Sequence, residues 1–312
     1  MGHLEKFIPL ATPPAVLYWY ATPGELTAIL NGKALAAPDI RYLNDNMELT
    51  YLTEIVLGEI HGITADSRTA DPDPDPREEA SGSTAGSAGE TDGRRESVLR
   101  EIVNRLTNVR YYHLFACYLF AEGDSFANWR IGGPDEKRYS LGFDSGRIIR
   151  LAGLSHFKLV KCIFDEAQQR RIIRDLLTES IREILLVPAE APDLMLRIHN
   201  VADEFLLNCI QCSALFKHPA AFEGIVWCLL SMPAALPTAA APLRFRDVNG
   251  LLAPYLEIKL TAHQDQVFPL VRLIVGPTPH VELAADSLEL LLASQGLQGC
   301  LVEGSRGPYK RF

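Results

Sequence analysis

FACYLFAEGDSFANWRIGG, residues 115–133, is the stretch on which the fold turns. From Tyr111 to Ala121 the chain is apolar at successive positions, so it reads as a central strand buried on both faces. It breaks at Glu122-Gly123-Asp124-Ser125, where Asp124 or Ser125 is placed to cap a short helix running to Trp129. A Gly-Asp-Ser turn after a strand is also one way to present a serine nucleophile. That reading needs a histidine to take the proton and an acid to orient it. None of the eight histidines has an Asp three residues before it. Ser125 is therefore read as the start of a helix.

Outward from this strand, VLYWYAT (16–22) is β-branched and aromatic, and predicts another strand. Thr22-Pro23-Gly24-Glu25 has the spacing of a capping box with Pro at the first helical position. The helix it opens carries Leu26, Ile29 and Leu30 on one face and stops near Asn31-Gly32. KALAAP, RYSLGFD, FKLVKCIFD, GIVWCLL, PYLEIKL, VRLIVGP and CLVEGS read as further strands. A helix follows the Asn44-Asp45-Asn46 turn, with Leu49, Leu52, Ile55, Val56 and Ile60 at helical spacing and Glu59 as the exception. Others start at Ser97 or run over 165–186, over 193–215 and up to Gly296. The order mixes hairpin-like strands with helices and shows no regular alternation. It predicts an α+β fold, a mixed and mostly antiparallel sheet with flanking helices, as a single domain over 10–312.

Segment 64–97 interrupts it. This segment has almost no large apolar residues and is rich in Pro, Gly, Ser and acid, so it is expected to be a disordered insertion. It holds nine acids against four arginines, a net −5, which leaves only −4 of the chain's −9 elsewhere. The net charge thus gives no sign of a general polyanion binder. The chain of 312 residues is 47% hydrophobic, enough for a large core, and no apolar run approaches a membrane span. The start, MGHLEKFIPLATPPAV, lacks the pattern of a secretory leader, and the six cysteines are too few for a disulfide scaffold. A reducing cytoplasm is the expected location.

Cys209-x-x-Cys212 lies in an apolar helical stretch without a partner pair, so it reads as core and no metal site is expected. No dinucleotide fingerprint, Walker loop or His-Glu-x-x-His occurs. Asn44, Asp45 and Glu48 are either helix caps or ligand contacts, and Trp129 either core or a stacking platform. Lys217, Arg272 and Arg306 are the cations that could gather a phosphate or carboxylate.

Taken in order, LYWYATPGELTAIL, RYLNDNMEL, FACYLFAEGDSFANWRIGG with YSLGFD, FKHPAAFEGIVW, PYLEIKL, LIVGP and EGSRGPY resemble domain-of-unknown-function family 2971 of bacteria and phages. The resemblance spans nearly the whole chain outside 64–97 and places Asp124, Ser125 and Trp129 at that family's Asp…Trp helix start. The opening strand and helix are also similar to those of ADP-ribosyltransferases. That similarity implies NAD as a substrate, Tyr18 and Tyr20 as the cofactor wall, Trp129 as a stacking ring and Glu223 as the catalytic carboxylate. It further implies a protein or nucleic-acid acceptor and a role in phage defence or a toxin system. Two departures bear on it. Trp19 stands where such enzymes often carry His, and the family's Glu-x-Glu-Trp-Arg reads Glu223-Gly224-Ile225-Val226-Trp227-Cys228, with Val226 and Cys228 replacing Glu and Arg. The alternative implied by that loss is a non-catalytic binding or regulatory module of the same fold.

Overall fold

A computed structural model of the chain describes residues 4–43, 47–69, 85–130, 138–218, 224–232, 243–248, 250–262 and 267–307. In chain order the elements begin with β1 (Val16–Ala21), α1 (Pro23–Gly32), β2 (Ala34–Pro38), α2 (Met47–Thr69), α3 (Ala85–Leu106), β3 (Ala116–Phe120), α4 (Phe126–Trp129), β4 (Tyr139–Asp144), α5 (Ser145–Leu154) and β5 (Lys158–Lys161). They continue with α6 (Glu166–Leu185), α7 (Leu194–Leu215), β6 (Val226–Leu230), β7 (Arg244–Val248), β8 (Leu251–Lys259), β9 (Leu270–Val275), α8 (Val281–Ser294) and β10 (Leu301–Gly304). The fold is α+β, as the sequence predicts.

Contacts divide the chain into two compact units. One gathers Met1–Pro9, Asp45–Tyr112 and Ile163–His218, the other Leu10–Asn44, His113–Cys162 and Pro219–Phe312. The physical reason is that the four long helices α2, α3, α6 and α7 satisfy their apolar stripes on one another.

In the helical unit, α3 packs on α6 and α7, and α2 on the same two helices. Glu59, the exception in the apolar series of α2, is buried and held by Arg174 at 2.8 Å and Arg170 at 3.5 Å, both from α6. A buried carboxylate is tolerated only with such partners. The disorder expected over 64–97 needs correcting at both ends, since α2 runs to Thr69 and α3 starts at Ala85. Arg95 donates to the Ile63 carbonyl and Arg94 to that of Val187, while Val98, Leu99 and Ile102 are buried. These docked turns nucleate the helix, and adding a residue to an existing helix needs little further stabilisation. The Asp-Pro run lies outside the described residues.

The second unit is built on a seven-stranded sheet in the order β10-β9-β4-β1-β3-β6-β5. Only the β10–β9 pair is parallel; the others are antiparallel. A three-stranded antiparallel sheet, β2-β8-β7, joins its core. Strand alternation sets the register: Leu17 and Ala21 of β1, Leu119 of β3, Leu141 and Phe143 of β4, and Leu273 of β9 enter one core with Ile29 and Leu30 of α1, Ile258 of β8 and Leu288 of α8. Each of the Leu, Ile and Phe side chains contributes about 1.5–3 kcal/mol relative to exposure. The capping box forms: Thr22 Oγ accepts from the Glu25 amide at 3.1 Å, and Glu25 accepts from the Thr22 amide at 2.8 Å. Loss of a cap of this kind costs about 1 kcal/mol. Asp144, at the end of β4, caps α5 through the Arg147 amide at 2.8 Å. No described helix is long and apolar enough to cross a membrane.

Candidate functional site

Tyr18 and Tyr20 lie two residues apart on β1 and so project from the same face of the sheet. The segment after β3 crosses that face. Gly123 sits directly on the Tyr18 ring, where a Cβ would lie 2.3 Å from a ring carbon, and Gly142 on β4 is nearly as tight at 2.9 Å. The Tyr20 ring meets Phe120 and Trp129 edge-on, with centroids 5.5 and 4.7 Å away. Its hydroxyl donates to the Glu122 carbonyl at 2.9 Å and accepts from the Ser125 amide at 3.0 Å. Burial raises the Tyr20 hydroxyl to about 12. Trp129 donates its indole N–H to Asp124 Oδ1 at 2.8 Å. Asp124 also accepts from the Ser305 hydroxyl and, at 2.8 Å, from the Arg306 amide. The turn after β3 thereby clasps the chain leaving β10.

This geometry corrects the capping assignment. Ser125 occupies the N-cap of α4, but its side chain makes no cap hydrogen bond, and the Asp124 carboxylate is taken up by Trp129 and residues 305–306. Within the same region Asn128 Oδ1 and Ser140 Oγ are buried without partners, and Ser140 is paired across strands with Tyr20.

Of the site residues expected from sequence, Tyr18, Tyr20 and Trp129 come together, at 8, 4 and 5% exposure. Asn44, Asp45, Glu223 and the side chain of Glu48 lie outside the described residues. Lys217 is buried in the helical unit, whereas Arg272 pairs with Glu303 at 3.8 Å and Arg306 enters the clasp by its backbone. Cys209 and Cys212 are fully buried in α7, and burial pushes both thiols well up, so neither is a ready thiolate.

Three polar groupings have no counterpart in the sequence pattern. Asp39, fully buried, accepts from Arg41 Nε at 2.9 Å and Nη2 at 2.6 Å, and lies 2.7 Å from His113 Nδ1. Its hydrogen bond raises Arg41 above the ordinary guanidinium value. In the helical unit, Tyr51 donates to Gln169 at 2.6 Å and its ring meets His218 edge-on. Buried Gln169 in turn donates to the carbonyls of Ile163 and Lys217. The third is a cavity of about 290 Å³ between α1 and the small sheet, lined by Trp19, Glu25, Ala28, Arg246, Tyr255 and Glu257 among others. Spacing carries little signal for these, because apart from the neighbours Asp39 and Arg41 the side chains that meet come from elements far apart in the chain.

The chain matches no family model, no curated protein and no solved structure.

Proposed function

We propose that this chain is a non-catalytic binding module of the α+β fold, holding a ligand without turning it over. The observation that carries this reading is the state of the Tyr20–Trp129 pair. A ring that stacks on nicotinamide needs an open face, but both rings are buried edge-on and both polar atoms are engaged inside the fold. The aromatic face is thus already filled by the chain itself. The replacement of the second Glu of the Glu-x-Glu motif by Val226 points the same way.

A second reading, a divergent ADP-ribosyltransferase-like enzyme related to family 2971 and acting on NAD with a protein or nucleic-acid acceptor, draws support from one contact. The Ala121 amide donates to the Ile225 carbonyl at 2.9 Å, which sets the Tyr20–Asp124 turn beside the start of β6, close in sequence to Glu223.

One assay separates the two. Purified chain is incubated with NAD, with and without cell lysate, and nicotinamide release and melting temperature are followed for wild type and Glu223→Gln. The module reading expects no release above the variant and no NAD-dependent rise in melting temperature. Release by wild type that is lost in Glu223→Gln would overturn it and establish the transferase or glycohydrolase.

A further inference from the structure

In the sheet unit, buried Asp39 and the half-buried carboxylates near the small sheet all have partners. Asp39 has Arg41, and the carboxylates lining the 290 Å³ cavity are also engaged: Glu25 accepts from the Thr22 amide, while Glu257 holds Arg244 at 2.9 Å and Lys259. Arg246 is the exception. It reaches inward from β7, its Nε is buried without a hydrogen-bond partner, and among the described residues no carboxylate pairs with it. Its charge is felt by the fully buried Cys117 on β3, where it opposes the upward push that burial exerts on the thiol. Trp19, lining the same cavity from β1, also has a buried indole N–H without a partner. Unmatched buried donors of this kind cost about 1–3 kcal/mol each. Both residues line one cavity, so an acceptor entering it meets the two side chains that carry these donors.

The cavity specifies the ligand's chemistry. A guanidinium fork fits the two oxygens of a carboxylate, and an indole N–H adds a third donor. The walls are apolar and partly aromatic, from Ala28, Ile29, Ala36, Trp19 and Tyr255, and so suit a flat hydrocarbon body. Glu25 and Glu257 at the same cavity disfavour a dianion such as a phosphate monoester. A volume of about 290 Å³ lies at the low end for small-molecule sites. We propose that the cavity between α1 and the β2-β8-β7 sheet binds a small aromatic monocarboxylate, held by Arg246 and Trp19. The proposal deepens the module reading and rests on it only in treating the ligand as bound rather than consumed.

The test is calorimetric titration of the full chain with benzoate and with its neutral isostere benzamide, with tryptophan fluorescence as a second readout. Benzoate is expected to bind and to perturb the fluorescence; benzamide is expected to bind at least about tenfold more weakly. Arg246→Met should weaken benzoate about ten- to hundredfold, and Arg246→Lys, which keeps the charge but loses the fork, by less. Equal binding of the two probes, binding of neither, or full affinity in Arg246→Met would overturn the proposal. So would displacement of benzoate by an equal concentration of inorganic phosphate. If Arg246→Met does not fold, the benzoate–benzamide comparison on wild type decides alone. Failure here leaves the NAD assay untouched, and nicotinamide release would sink the module reading whatever benzoate does.

Discussion

Replacing Asp124 by Ala tests whether the turn after β3 is a structural clasp or one wall of a substrate site. The carboxylate accepts from Trp129 Nε1, the Ser305 hydroxyl and the Arg306 amide. These losses are unequal. Asp124 is itself exposed, so water replaces it readily at Ser305 and Arg306, and those bonds contribute little net stability. Trp129 is buried, and its indole N–H would be left without a partner, which costs about 1–3 kcal/mol. The expected sum is about 2–3 kcal/mol, or a melting temperature lower by about 4–12 °C. Asp124→Asn keeps one acceptor oxygen and should lose roughly half as much. The decisive assay is a double-mutant cycle in thermal or urea melts. Trp129→Phe should cost about 1–2 kcal/mol more in the Asp124 background than in Asp124→Ala, because the shared hydrogen bond has already gone. Amide exchange at Arg306, whose N–H donates to Asp124, should quicken in parallel. Two results would refute the clasp: an Asp124→Ala protein within about 0.5 kcal/mol of wild type, or strictly additive costs.

Two further predictions concern packing and proton binding. Gly123→Ala places a methyl 2.3 Å from the Tyr18 ring, so it should destabilise by about 1–3 kcal/mol, and an unchanged melting curve would mean that the turn does not lie on that ring. Burial raises the Cys300 thiol to about 11 from an ordinary 9.0, so the folded state binds its proton more tightly than the unfolded chain. The resulting stability is fully present below about pH 9 and is lost as pH rises towards 11. Iodoacetamide should label half-buried Cys300 in the folded protein slowly at pH 8 and faster towards pH 11, and fast labelling at pH 8 would contradict a thiol held in its protonated form.

Local chemistry carries most of the fold into the sequence. The Thr22–Glu25 spacing specifies a capping box because both hydrogen bonds lie within one helical turn. The ranges 165–186 and 193–215 match α6 and α7 closely, because long apolar periodicities average over local noise. Two elements have no separate signal. In α5 the helix starts on Asp144 with no intervening loop, so strand and helix read as one segment. In β7, RFRDV is a short, mostly polar edge strand with Phe245 exposed, so it has no apolar run to mark it. The division into two units is illegible for a general reason. Periodicity tells which face of a helix is buried, not which partner buries it. The same limit hides Glu59, which reads as an interruption and is the ion-paired link between α2 and α6.

The candidate site illustrates how far strand alternation reaches. Tyr18, Trp19 and Tyr20 are adjacent on the strand that the resemblance makes a cofactor wall, but a strand sends alternate residues to opposite faces. Tyr18 and Tyr20 go to the clasp, where the 121–129 segment covers them and engages the Tyr20 hydroxyl. Trp19 goes to the other face and into the cavity with Arg246. It is also the residue that stands where ADP-ribosyltransferases often carry His. The departure that weakens the enzymatic resemblance is therefore the residue that supplies the cavity with its unmatched indole donor. On one strand, the residues that match the resembled pattern hold the fold together, and the residue that breaks it faces a cavity whose guanidinium has a buried N–H without a partner.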